Sequence, residues 1–186
     1  MANRNEQGFG LIAAGTLGST PATSGQGKYK IDAGYVTTIF HGGCVASAAG
    51  YIVNGQTAAA PVLGVLNGIF YNAATTLKPT FANHYTQVTP ANSEDIDAFV
   101  FDNPQQQYVV STDAAVAQAG FLETYDMNTS AGSTTTGQSS ATLDIADTSA
   151  DSDSWRLLRS AEDPENDENA AFRSVVVVAN LIELQN

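Results

Sequence analysis

The sequence predicts an all-β fold: an antiparallel β-barrel or β-sandwich, with a jelly roll among the alternatives, preceded by an extended N-terminal arm. Three observations carry this expectation. Only 14% of the 186 residues are charged, against about a quarter in an ordinary globular domain. Ala, Thr, Ser, Asn, Gln and Gly fill the polar positions instead, whereas a helical bundle needs Glu, Lys and Arg on its exposed faces. Short runs of β-branched and aromatic residues recur roughly every eight to twelve positions, separated by Gly, Asn and Pro, the rhythm of a barrel or sandwich. The four consecutive valines Val175 to Val178 read as a strand buried on both faces. The length suits one domain and can bury a core without disulfide or metal.

Residues 1–28 read as the arm, and 29–186 as a single β-rich domain. In the arm, Phe9, Leu11, Ile12 and Leu17 sit among Gly, Ser, Thr and Asn. They need burial, either on the same domain or on a neighbouring subunit, and are candidate partner-binding residues. Gly18 to Gly27 holds no large apolar residue and reads as a loop or a linker. Strand signals follow at Tyr29, Ile31 and Val36 to Phe40. Gly42-Gly43 is a turn, and Val45 to Ala49 and Tyr51 to Val53 flank Gly50. Asn54-Gly55 carries a strong two-residue hairpin signal. Val62 to Leu66 ends at Asn67-Gly68, and Ile69 to Tyr71 continues beyond it.

Signals weaken over 72–95, where Pro79 and Pro90 intervene, and over 112–131. Parts of these stretches are expected to be irregular or to form a small lobe. Ile96 to Phe101 and Tyr108 to Ser111 are strands separated by the turn Asp102-Asn103-Pro104. Ala114 to Ala119 is Ala-rich and reads as one or two helical turns ended by Gly120. Ser/Thr/Gly-rich 132–140 is an exposed loop. Leu143 and Ile145 share one face of a strand, and Trp155, Leu157 and Leu158 open another.

Charge narrows the function classes. The formal net charge is −12, with seven basic residues. None of these lies between Lys78 and Arg156, an interval that holds eleven acidic residues. Nucleic-acid binding rests on clustered Lys and Arg, so no nucleic-acid partner is expected. The acidity suits a basic partner surface. No signal-peptide core and no membrane-length apolar run appear, so a soluble protein made in a cytoplasm is expected.

Candidate chemistry is sparse. Cys44 is a lone cysteine beside Gly42, Gly43 and Val45, which favours a small buried hydrophobe over a nucleophile. His41 and His84 lack metal-ligand spacing. His41-Gly42-Gly43 superficially matches esterase oxyanion glycines, but no Gly-x-Ser-x-Gly accompanies it. Asp147, Asp151 and Asp153 lack the full calcium-loop pattern. The acidic loop with Glu162, Asp163, Glu165, Asp167 and Glu168 reads as solvated or as docking on a basic neighbour, and these five are the second set of partner-binding candidates. A glycosidase would need aromatic platforms beside its paired carboxylates, yet the single tryptophan, Trp155, sits in a strand pattern and reads as core. No catalytic residue, cofactor or metal is expected.

The ordered series Gly8-Phe9-Gly10-Leu11-Ile12, Tyr29-Lys30-Ile31, Phe40-His41-Gly42-Gly43-Cys44-Val45 and Val62 to Tyr71 continues through Ala98-Phe99-Val100-Phe101-Asp102-Asn103-Pro104 and Tyr108-Val109-Val110. It ends with Gly132 to Ser139, Leu143-Asp144, Trp155-Arg156-Leu157-Leu158, Asp163 to Asp167 and Val175 to Asn180. In this order the chain resembles a family of virion structural proteins of tailed bacteriophages, of the marine and cyanobacterial type. The resemblance implies a decoration or cement protein on the capsid surface, with the major capsid protein as partner and no catalytic residues. Lattice threefold positions suit a closed homotrimer. Another virion surface part, such as a tail, fibre or glycan-binding adhesin, is the alternative.

Overall fold

A computed structural model describes residues 7–18, 25–55, 60–128, 132–149 and 153–185. The chain is all-β, as its composition and rhythm predict, and its two six-stranded sheets form an open sandwich, not a closed barrel. The strands are β1 (Ile12–Thr16), β2 (Gly27–Ile31), β3 (Cys44–Ala48), β4 (Tyr51–Asn54), β5 (Gly64–Asn72) and β6 (Pro79–Ala82). They continue as β7 (Ile96–Phe101), β8 (Gln106–Ser111), β9 (Thr124–Met127), β10 (Leu143–Ser149), β11 (Trp155–Ser160) and β12 (Ser174–Ala179). The first sheet runs β1-β8-β12-β11-β9-β10. The second runs β2-β7-β5-β3-β4, with β6 paired to β5. All these pairings are antiparallel.

Period-two alternation partitions the core. In the first sheet Tyr108, Val110, Val175, Val177, Trp155 and Leu157 face inward into one cluster. Tyr108 and Trp155 meet edge to face at 5.6 Å, a favoured aromatic geometry. On β3 and β5 the alternation divides neighbours: Cys44 and Val65 join that cluster, while Val45 and Leu66 join a second one with Ile31, Ile52, Ile69, Ile96 and Val100. The Tyr108 hydroxyl donates to Phe101 O at 3.1 Å, tying β8 to β7 across the sheets. Consecutive strands β7 and β8 therefore lie in different sheets, and Asp102-Asn103-Pro104 is the corner between them.

The valine run is the inner strand β12, with exposures of 0, 4, 0 and 6% for Val175 to Val178. Trp155 is core, at 1%. Within the segment 1–28, the described residues are laid onto the domain: β1 pairs with β8, and Leu11 is 2% exposed in the first cluster. Residues 1–6 and 19–24 of that segment lie outside the described residues.

Some local expectations need correction. The hairpin joining β3 and β4 turns at Ala49-Gly50, where both φ are positive, 51° and 86°, and Ala48 faces Tyr51. That is the geometry of a type I′ turn, usually filled by Asn-Gly. Asn54-Gly55 instead closes β4, with the Gly55 N–H donating to Cys44 O at 3.0 Å. Asn67-Gly68 does not interrupt the chain but forms a register shift inside the nine-residue β5, as a bulge does. Gly68 leaves room there for the neighbouring strand, since a Cβ would lie a tight 3.0 Å from Ala82 O and from the Phe81 ring. Ala114 to Ala119 forms no α-helix; only Gln118–Gly120 makes a 3-10 turn, since so short a run cannot offset the cost of helix nucleation. The weak stretches 72–95 and 112–131 contain the strands β6 and β9. β9 escaped detection because Asp126 interrupts its apolar pattern, yet this aspartate is 3% exposed and accepts the Ser154 N–H at 3.1 Å.

Candidate functional site

The outer face of the first sheet carries a sizeable groove. Because Tyr108 and Val110 face inward, Val109 faces outward; likewise Val176 lies between inward-facing Val175 and Val177. The register aligns Ile12 with Val109, Val109 with Val176, and Val176 with Arg159. One cross-strand row thus runs over β1, β8, β12 and β11. Side chains in such a row touch directly. This row floors a groove of about 590 Å³. Phe9, Ile12 and Ala14 form one wall, and Arg159, Glu162 and Asp163 the opposite rim. Ile12 is 49% exposed. A second hollow adjoins it, sharing Ala161, Glu162 and Asp163 and lined further by Ser160, Asn166 and Glu168.

The acidic rim belongs to the β11–β12 connection, and two residues hold its shape. Asn166 Nδ2 donates to Ser174 O at 2.9 Å, Ser160 Oγ at 3.1 Å and Ala161 O at 3.3 Å, while its Oδ1 accepts the Ser174 N–H at 3.0 Å. Arg173 is buried at 5%. Its guanidinium donates to Val116 O and Glu168 O, each at 3.3 Å, pairs with the Glu168 carboxylate at 3.3 Å, and lies 5.1 Å from the Phe121 ring centroid. Asp163 Oδ1 accepts the Glu165 N–H and Asp167 Oδ1 the Asn169 N–H, both at 3.0 Å. These are local turns that shape a loop from within. The connection is thereby a shaped acidic surface.

Of the residues singled out in the sequence, Phe9, Ile12, Glu162 and Asp163 meet around the groove, and Glu168 lines the adjoining hollow. Leu11 points the other way, into the core, so its apolar surface is satisfied within the chain. Leu17 sits half-buried just past β1, its N–H donating to Gln105 O at 2.9 Å. Glu165 and Asp167 belong to the same loop but line neither hollow. Sequence reasoning missed Arg159, Val109, Val176, Asn166 and Arg173. A basic residue closing an acidic run, as Arg173 does, was the available signal for a loop pinned from inside.

The reactive residue types have structural surroundings. Cys44 is 1% exposed, and burial pushes its thiol up to about 12 despite a hydrogen bond with Trp155. A thiol so placed stays protonated at neutral pH. His41 Nδ1–H donates to Asn67 O at 2.9 Å, a tautomer fixed by that carbonyl. His84 stacks on Phe40 at 6.1 Å and shares a hydrogen bond with Asn83 Oδ1. Asp153 is buried at 3%; Asp151 and the Asp147 side chain lie outside the described residues. Among the described residues, no three His, Cys, Asp or Glu side chains gather as a metal site would require, and no helix is long and apolar enough to cross a membrane. Compared with family models, curated proteins and solved structures, the chain matches none.

Proposed function

We propose that this chain is a decoration or cement protein of a tailed-bacteriophage capsid, which binds major capsid protein subunits on the virion surface and acts through adhesion. The observation that carries the reading is the outer-face groove, an apolar row flanked by an acidic loop fixed in shape by Asn166 and Arg173. An apolar floor beside a charged rim is the anatomy of a specific protein interface. The net charge of −12 suits a basic surface on the lattice. Specific interfaces bury roughly 1,600 Å² in total, and many copies on one shell multiply a modest affinity. A homotrimer at threefold positions is the assembly this reading favours.

The test is co-sedimentation of the purified protein with capsid shells of the encoding phage that lack it, followed by cryo-EM of the decorated shells. Saturable binding that weakens with salt, with new density on the outer surface, is the expected result. Absence of the polypeptide from purified virions, together with no binding to shells, overturns the reading. Binding to host glycan instead would move the protein to the adhesin class.

A further inference from the structure

We infer that the second sheet, where β6, β5, β7 and β2 lie side by side, binds a neutral oligosaccharide on the face turned away from its core cluster. Ile69, Ile96 and Ala98 point into that cluster, so their neighbours Phe70, Asp97 and Phe99 point the other way. Lys28 and Lys30 flank Tyr29, which packs on the cluster, and share the face with them. The register aligns Phe81 with Phe70, Phe70 with Asp97 and Asp97 with Lys30. The next row sets Gly68 beside Phe99 and Phe99 beside Lys28.

One end of this surface is aromatic. Phe81 is 65% exposed. Its Cζ lies 3.0 Å from where a Gly68 Cβ would be, so the ring leans across β5 over a residue with no side chain. It meets the Phe99 ring at a centroid distance of 6.1 Å, tilted by 34°. The other end is polar. Asp97 holds Lys28 and Lys30 at 2.7 and 2.6 Å, and both lysines are exposed. Beside them opens a hollow of about 300 Å³, lined among others by Lys30, Phe70, Asn72, Glu94, Asp95 and Asp97.

The two ends ask for different parts of one ligand. The electron-rich face of a phenyl ring suits the polarised C–H groups on one side of a sugar ring. Sugar hydroxyls both donate and accept, and so match the ammonium hydrogens and carboxylate lone pairs that the ion pairs leave over. A dry protein contact would instead have to strip water from that charged trio, at a cost. In the lining of the hollow three carboxylates oppose one ammonium, which disfavours an acidic sugar. β6 and β7 are two strand spacings apart, about 10 Å, the length of two linked pyranose rings: one stacks on Phe81 and the next hydrogen-bonds in the hollow. The site shares no lining residue with the groove of the first sheet, and it does not rest on the capsid reading.

The test is titration of the full chain with neutral hexasaccharides of glucose, mannose, galactose and N-acetylglucosamine, with hexagalacturonate as the acidic control. At least one neutral sugar should bind, and the acidic one should not. Phe81→Ala and Asp97→Asn should each weaken binding by about tenfold. Phe81→Trp should retain it and report it through a change in fluorescence. Far-UV circular dichroism confirms that each variant is folded. Failure of every neutral sugar to bind, equal binding of hexagalacturonate, or unchanged binding in either Phe81→Ala or Asp97→Asn overturns the inference. Sugar binding by a chain that ignores capsid shells leaves this site standing and the cement reading fallen; shell binding without sugar binding does the reverse.

Discussion

Asn166→Ala should destabilise the protein by about 2 kcal/mol, since each protein hydrogen bond contributes a net ~0.5–1.5 kcal/mol. The side chain makes four hydrogen bonds, of which those to Ser174 O (2.9 Å), the Ser174 N–H (3.0 Å) and Ser160 Oγ (3.1 Å) have good length. The fourth, at 3.3 Å to Ala161 O, is long and adds little. Three good bonds at the middle of that range give about 3 kcal/mol. Water reaching the half-buried site recovers part of this, which leaves about 2 kcal/mol. For a chain of this size that is a fall in Tm of roughly 4–8 °C. Urea unfolding followed by Trp155 fluorescence measures it directly, with an unchanged m-value expected because the exposed area barely changes. Asn166→Asp keeps the acceptor for Ser174 N–H but sets a carboxylate against two carbonyls and a hydroxyl, so it should be no more stable than the alanine variant. If Asn166→Ala lies within about 0.5 kcal/mol of the parent, as a neutral surface change would, the loop is not held from inside.

Other outcomes follow from the core and the ion pairs. Leu157, fully buried in the first cluster, should cost about 2–5 kcal/mol when replaced by alanine; chemical denaturation checks it. Cys44 should resist a thiol reagent in the native protein and react in full after unfolding, because burial holds the thiol protonated and covered; release of the reagent's chromophore reports both states. Burial alone would raise the Asp97 pKa, but hydrogen bonds and charge from Lys28 and Lys30, at 2.7 and 2.6 Å, lower it overall. A carboxylate depressed on folding stabilises above its unfolded pKa and loses that stabilisation as pH falls through the folded value. Asp97→Asn should therefore flatten the acid limb of a stability-versus-pH curve, below the usual carboxylate range, and leave the neutral region to report only the lost pairing.

The sequence revealed composition-level features well and register-level features poorly. Four adjacent valines have few homes other than an inner strand, so β12 was legible. Trp155 and Cys44 were legible as core for the same reason, since apolar bulk or a small apolar thiol in a strand pattern leaves little choice. Ala49-Gly50 was not legible as a hairpin turn, because alanine seldom adopts a positive φ and Asn54-Gly55 offered stronger local chemistry nearby. Pairing with Val53 and Ile52 across the turn overrides that local preference. The need of Phe9 and Ile12 for apolar company was visible, but not their partners: Val109 and Val176 lie far along the chain and are aligned by strand register alone. The acidic loop was visible as charge, whereas its fixed shape comes from Asn166 and Arg173, whose hydrogen bonds no spacing announces.

The order of the strands sets a timetable for synthesis. The second sheet is drawn entirely from residues 27–101, a continuous stretch that can close while the remainder is still being translated. β1, which precedes that stretch in the chain, belongs to the other sheet. It waits beside a finished neighbour until β8 emerges, and β8 itself is secured only when β12 follows. Such distant pairings are slow to form, so β1 is made before every strand it depends on and is among the last of the described strands to find a settled place.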